Sequence, residues 1–153
     1  MTEHEDRVHP DWIDANGHMN LAYYVVVFDR ATDVLFDRVG VGTAYRAASR
    51  FTMFAVEMHT IYERELSVGD PLRVRTVLLG ADRKRLHFGH EMFHAAQGYR
   101  AAVQELMTVH VDTDVRRSAA FPADLAASLA DLVAAAGPAP DWVGRRIALP
   151  ASR

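Results

Sequence analysis

One long apolar helix followed by a run of long strands is the pattern that most restricts this chain. Between Asn20 and Val39, Leu21, Tyr24, Val25, Phe28, Ala31, Leu35 and Val39 recur at helical spacing, with Asp29, Arg30, Asp33 and Asp37 on the polar side. Asn20 is the candidate N-cap and Gly40 the candidate stop. The Val25–Val26–Val27 run is poor helix material by propensity, and the first half is apolar nearly all round. Both facts predict a helix buried deeply enough for packing to override propensity.

After Gly42 the period changes to two. From Phe51 to Glu65 one face carries Phe54, Val56, Met58 and Tyr62, the other Met53, Ala55, Glu57, His59 and Ile61, which predicts a strand partly buried on both faces. Turns at 68–71, 80–82 and 97–98 separate further strands over 72–79, 85–95 and 100–112. Such spacing predicts an antiparallel meander. With a short N-terminal strand before the helix, the order resembles the hotdog architecture. That is an α+β fold in which a curved antiparallel sheet of about five strands wraps a central helix. A different α+β sandwich is the alternative. Leu125, Leu129, Leu132 and Val133 predict a short C-terminal helix within an alanine-rich, proline-bounded tail. The expected division is a main domain over 1–118 and a helical extension over 119–153 packed on it.

Composition narrows the function. Of 153 residues half are hydrophobic, enough for one packed core, and the net charge of −3 argues against a nucleic-acid partner. The chain has no cysteine, so thiolate nucleophiles and cysteine-ligated metals are excluded. The longest apolar stretch, Leu21 to Phe28, is far short of the ~20 residues that span a bilayer. The polar, acidic start shows no signal peptide, so a soluble cytoplasmic protein without a membrane partner is expected.

The stretch Trp12-Ile-Asp-Ala-Asn-Gly-His-Met-Asn20 lies immediately before the helix. Asp14 precedes a glycine turn that opens an apolar helix. Unpaired amides at a helix N-terminus suit developing negative charge, and a partly desolvated carboxylate beside them can act as general base or nucleophile. Gly17 lets backbone approach a ligand. These are the parts of an acyl-transfer site, although Asp-x-Asn-Gly is also an ordinary turn with ordinary capping.

The string Asp14-Ala-Asn-Gly-His-Met-Asn20 followed by Tyr23–Tyr24 resembles the opening signature of hotdog-fold acyl-CoA thioesterases of the 4-hydroxybenzoyl-CoA thioesterase-like type. Tyr45, Val56-Glu-Met-His59, Leu78-Leu-Gly-Ala-Asp-Arg-Lys-Arg-Leu-His87 and His110-Val-Asp-Thr113 are similar to the betainyl-CoA thioesterases, relatives of the domain fused to some L-carnitine dehydrogenases. The similarity runs from about Val8 to Arg117. It implies hydrolysis of a short polar acyl-CoA, betainyl-CoA being the sharpest choice, with a place in betaine or carnitine metabolism. Asp14 becomes the catalytic carboxylate, and amides near Gly17 and His18, in the turn that Asn20 closes, the oxyanion hole. Coenzyme A is part of the substrate, and no separate cofactor or metal is implied. The pattern differs at two points: Ala15 stands where the family carries an aromatic residue, and Met58 replaces a threonine in Val-Glu-Thr-His. The rival readings are a hotdog acyl-CoA hydratase or dehydratase and a non-catalytic acyl-CoA-binding protein.

Other residues have two readings each. Glu57 and His59, two apart on one strand face, either contact substrate or satisfy each other; the resemblance favours substrate contact. Trp12, Asn16 and Tyr23 are candidate substrate contacts, the aromatic rings suiting a quaternary ammonium group. Arg83, Lys84 and Arg85 follow a turn and suit coenzyme A phosphates, or form a solvated cationic turn. His87, His90 and His94 cannot converge on a metal from one strand because His87 faces away; His90 is a candidate pocket liner. One helix in one sheet offers no deep cleft, and the resemblance implies that paired protomers supply one: a homodimer or dimer of dimers is expected, with the site between protomers and Asp14 facing Glu57 or His59 of the other chain.

Overall fold

The computed structural model describes residues 1–149. Strand β1 (Thr2–Arg7) leads through a 3-10 turn at Pro10–Trp12 to helix α1 (Leu21–Val39). A short helix α2 (Thr43–Ala48) follows, then strands β2 (Phe51–Tyr62), β3 (Pro71–Ala81), β4 (Arg85–His94) and β5 (Arg100–Asp112). The two-residue β6 (Arg117–Ser118) and helix α3 (Ala123–Ala134) complete the elements. This is the hotdog fold: a curled antiparallel sheet with α1 packed on one face.

Helix α1 begins and ends where its caps dictate. The Asn20 side chain accepts from the Ala22 amide at 3.0 Å, and Gly40 takes the left-handed conformation (φ 83°) that closes a helix. Its burial is one-sided, contrary to the expectation from its apolar first half. Tyr24, Val27, Phe28, Ala31, Thr32, Leu35 and Val39 face the sheet, whereas Leu21 is 62% and Val26 39% exposed. Two clusters fill the core. One joins Trp12, Met19, Tyr24 and Phe28 to Leu72, Val74 and Met92; the other joins Leu35 and Val39 to Leu86, Phe88, Leu106 and Leu129 of α3.

The sheet order is β1-β3-β4-β5-β2, so only β3, β4 and β5 form a meander. Strand β2 does not pair with β3 but lies on the far side of β5, at the sheet edge. The expectation of two partly buried faces therefore fails for β2: Phe54, Val56, Met58 and Tyr62 are all exposed. Nor does strict alternation hold. A bulge between Ala55 and Glu57 inserts Val56, so Phe54 shares the outer face with Glu57 and His59, while Met58 and Tyr62 turn towards the helix side. Helix α2 and β6 had no periodic signal, being six and two residues long.

Candidate active site

The loop before α1 is built by backbone pairing. The Trp12 carbonyl accepts from the Asn20 amide at 2.8 Å, Ile13 bridges to Met19, and the Met19 amide donates to the Leu66 carbonyl at 2.8 Å. The turn inside it is closed by the Asp14 amide on the His18 carbonyl and the Gly17 amide on the Asp14 carbonyl, both at 3.0 Å. Gly17 has φ 81°, the left-handed region that glycine tolerates. Asp14 Oδ1 accepts from the Asn16 amide at 2.8 Å, which fixes the carboxylate without an opposing cation.

Half-buried Asp14 opens onto a cleft of about 360 Å³ shared with Leu21, Tyr24, Tyr62 and Glu65. The Gly17 amide is occupied by the turn, so it is not a free donor. The amides of His18 and Leu21 have no hydrogen-bond partner among the described residues. His18 Nε2 lies 3.6 Å from Glu65. Asn20 acts as the cap of α1, and Asn16, exposed at the turn, contributes the amide that orients Asp14. Tyr24 reaches this cleft from the core, and burial pushes its phenol up to about 12, so it is a neutral wall and not an acid.

The other expected contacts lie elsewhere in the protomer. Trp12 and Tyr23 stack on each other at 5.3 Å, and the Arg30 guanidinium sits 5.4 Å from the Trp12 ring, so this aromatic pair already holds a cation of its own. Glu57 and His59 lie opposite Met107 and Glu105 on the outer face of the sheet, away from Asp14. There they border a separate depression of about 290 Å³ with His87 and Glu105, which are bonded at 2.7 Å. His90 is fully buried in the core, its Nε2 and Nδ1 each 2.9 Å from the hydroxyls of Thr32 and Thr76. His87 does face away from His90, as the strand period requires.

The basic turn stands at the opposite end of the sheet from Asp14, since Arg85 pairs with Val109 and Val109 with Phe54. Arg85 is tied to Asp82, whose carboxyl its hydrogen bonds hold down at about 2. Lys84 Nζ donates to Ser118 Oγ at 2.9 Å, and the exposed Arg83 guanidinium has no partner among the described residues. Tyr62 and Glu65, which are not among the expected site residues, line the cleft at and just beyond the end of β2; their place at the close of an apolar strand is the sequence signal that marks them.

A curled antiparallel sheet packed around one long helix defines the class: a hotdog-fold protein. Residues 8–129 match the thioesterase-like superfamily, and the chain belongs to that family. It is 41% identical to a betainyl-CoA thioesterase of Pseudomonas aeruginosa over all of this chain and 98% of that protein. It is 39% identical to an L-carnitine dehydrogenase/betainyl-CoA thioesterase of Agrobacterium fabrum, covering 94% of this chain but 30% of that longer protein. Among solved structures, the SAV2348 protein of Staphylococcus aureus in complex with CoA superposes with a TM-score of 0.87 at 30% identity, covering 97% of this chain and 94% of that one. The expectation of a thioester hydrolase agrees with the family and these relatives. No helix among the described residues is long and apolar enough to cross a membrane.

Proposed function

We propose that the chain hydrolyses a short polar acyl-CoA, betainyl-CoA first among them, to the free acid and coenzyme A. The observation that carries this reading is Asp14, oriented by the Asn16 amide at 2.8 Å and opening onto the cleft, while the His18 and Leu21 amides of the same loop have no partner among the described residues. Asp14 takes a proton from water as the water oxygen attacks the thioester carbonyl, or its own oxygen attacks and water later releases the acyl group. The oxyanion is received by the two amides. Collapse breaks the C–S bond; on the general-base route the departing thiolate takes up the proton held by Asp14, and on the nucleophilic route it takes up the proton released when water cleaves the mixed anhydride. A thiolate leaves readily, so the mechanism asks for no strong general acid. The betainyl-CoA thioesterase activity for which the P. aeruginosa and A. fabrum relatives are named supports betainyl-CoA as the acyl donor.

Assembly belongs to the same proposal. Strand β2 presents an open edge with Phe54, Val56 and Met58 exposed, and apolar edges of this kind invite a partner strand. Antiparallel pairing of β2 with the β2 of a second copy lays the Tyr62 end of one protomer beside the Phe51 end of the other. That brings a partner's basic turn to the side where Asp14 lies, where Arg83 and Lys84 can meet coenzyme A phosphates. Glu57 and His59 lie on the outer face of the sheet in each copy. The test is thiol release over a panel of acyl-CoAs with Asp14→Asn beside wild type. Turnover of short polar thioesters that falls at least a hundredfold in the variant is expected. No turnover on any thioester overturns the reading, and unchanged turnover in the variant overturns the role of Asp14.

A further inference from the structure

The Asp14 cleft also carries information about the acyl group, and the inference rests on the thioesterase reading above. Of the aromatic rings near the helix entrance, three are already engaged. Trp12 and Tyr23 stack together under Arg30, and Tyr99 lies 3.9 Å beneath the Arg64 guanidinium. Tyr24 is buried and meets Tyr62 edge-on at 5.2 Å. Tyr62 differs. Its hydroxyl donates to the Leu21 carbonyl at 3.2 Å, which pins the ring to the start of α1, yet the residue is 45% exposed in the cleft that holds Asp14.

The charges around the cleft are uneven as well. Glu63 is neutralised by a two-pronged contact from Arg100, at 2.7 and 2.8 Å. Asp14 and Glu65 have no Lys or Arg partner among the described residues, and Arg64, which also lines the cleft, stacks its guanidinium on the Tyr99 ring. A rigid aromatic ring beside two carboxylates that no Lys or Arg pairs favours a cation that is weakly hydrated and bulky. We propose that Tyr62 is a specificity-determining residue for a quaternary-ammonium acyl group, its ring receiving the trimethylammonium head while the Glu65 carboxylate adds longer-range attraction.

The acyl group of betainyl-CoA has a neutral isostere of the same shape, tert-butylacetyl-CoA, in which carbon replaces the charged nitrogen. The change in the ratio of kcat/KM for the two esters from wild type to variant therefore isolates recognition of the charge, because the inductive activation of the carbonyl by the ammonium group is the same for both proteins. In wild type the ratio favours the cation. Tyr62→Leu lowers it about three- to thirtyfold, the range expected for one cation–π contact, and Tyr62→Phe, which keeps the ring, preserves it. Glu65→Gln lowers the ratio at low salt, and that loss shrinks as ionic strength rises. Should Tyr62→Leu fail to fold, the wild type decides alone: choline inhibits betainyl-CoA hydrolysis, and its neutral carbon isostere does not. An unchanged ratio in a folded, active Tyr62→Leu, a wild-type preference for the neutral ester, or equal inhibition by the two alcohols overturns the proposal and leaves the thioesterase reading standing. Wild type that cleaves neither ester, nor any other acyl-CoA, overturns both.

Discussion

Trp142 sits directly over Gly89 on the outer face of the sheet. The indole is 4% exposed, its Nε1–H donates to Glu91 Oε1 at 3.1 Å, and two residues later the Gly144 amide donates to Glu105 Oε2 at 2.7 Å. A Cβ at position 89 would overlap the Trp142 ring and press on the Gln104 carbonyl 3.2 Å away. The segment after α3 is thus a strap fastened to β4 and β5 by one ring and two carboxylates. Gly89 is there because only a bare backbone leaves room for that ring.

Loss of that fit is measurable. Trp142→Ala should cost about 3 kcal/mol in urea unfolding, as removal of a buried indole does. Gly89→Ala should cost about 1–3 kcal/mol by overpacking. The double variant should cost little more than Trp142→Ala alone, because the added methyl no longer meets a ring. Simple addition of the two single effects would contradict the contact.

Gly17 separates conformation from space. An added Cβ would meet nothing within 4 Å, so the demand on this position is its φ of 81° alone. Gly17→Asn should keep most activity, since asparagine visits this region, whereas Gly17→Val should distort the turn that holds Asp14. A kcat loss of about tenfold or more in the valine variant, with an unchanged circular dichroism spectrum, is the expected result. Equal activity of the two variants would show that the turn does not set the carboxylate.

His90 predicts the acid sensitivity of the fold. The Thr32 hydroxyl donates to the Phe28 carbonyl at 3.0 Å and so accepts from Nε2–H, leaving Nδ1 to accept from Thr76. Burial, with a smaller effect of His4, pushes the ring from 6.5 down to about 3. Between those values the unfolded chain holds a proton that the folded chain does not. Stability supplied by neutral His90 is therefore complete above the unfolded value and is lost as pH falls through the window. From pH 7 to pH 5 wild type should lose about 2 kcal/mol relative to His90→Gln, which has no such titration. Parallel pH profiles of the two proteins would rule this out.

The edge of β2 predicts assembly. Val56, inserted by the bulge, is 58% exposed. Val56→Lys should shift the protein towards monomer in sedimentation velocity without loss of secondary structure. Activity should fall about tenfold or more at low protein concentration and recover in part at high concentration. A fully active monomer would break the link between the β2 edge and the site.

Much of this was legible along the chain because it depends on neighbours in sequence. Asn20 and Gly40 mark α1 to the residue, since caps act within one turn of the helix end. The inward face of β4, Leu86, Phe88, His90 and Met92, follows from the strand period, and all four are fully buried. The strand from Arg100 to Asp112 has the expected bounds. The loop chemistry at Asp14 could be read as well, because an Asx turn needs only residues 14–18.

The features readable along the chain are therefore local: one capped helix, four long strands, and a carboxylate in a turn before the helix, together with the family they signal. The tertiary structure alone decided that β2 crosses to the far edge, that its bulge moves Phe54 onto the face of Glu57 and His59, and that both of these point away from Asp14. It also decided that Trp12 spends its ring on Tyr23 and Arg30, while Tyr62 stays 45% exposed where it lines the cleft. The reason is physical. Period and capping are set by backbone geometry within a few residues, but strand order and ring contacts are set by which surfaces remain once α1 is covered, and that is a property of the whole packed chain.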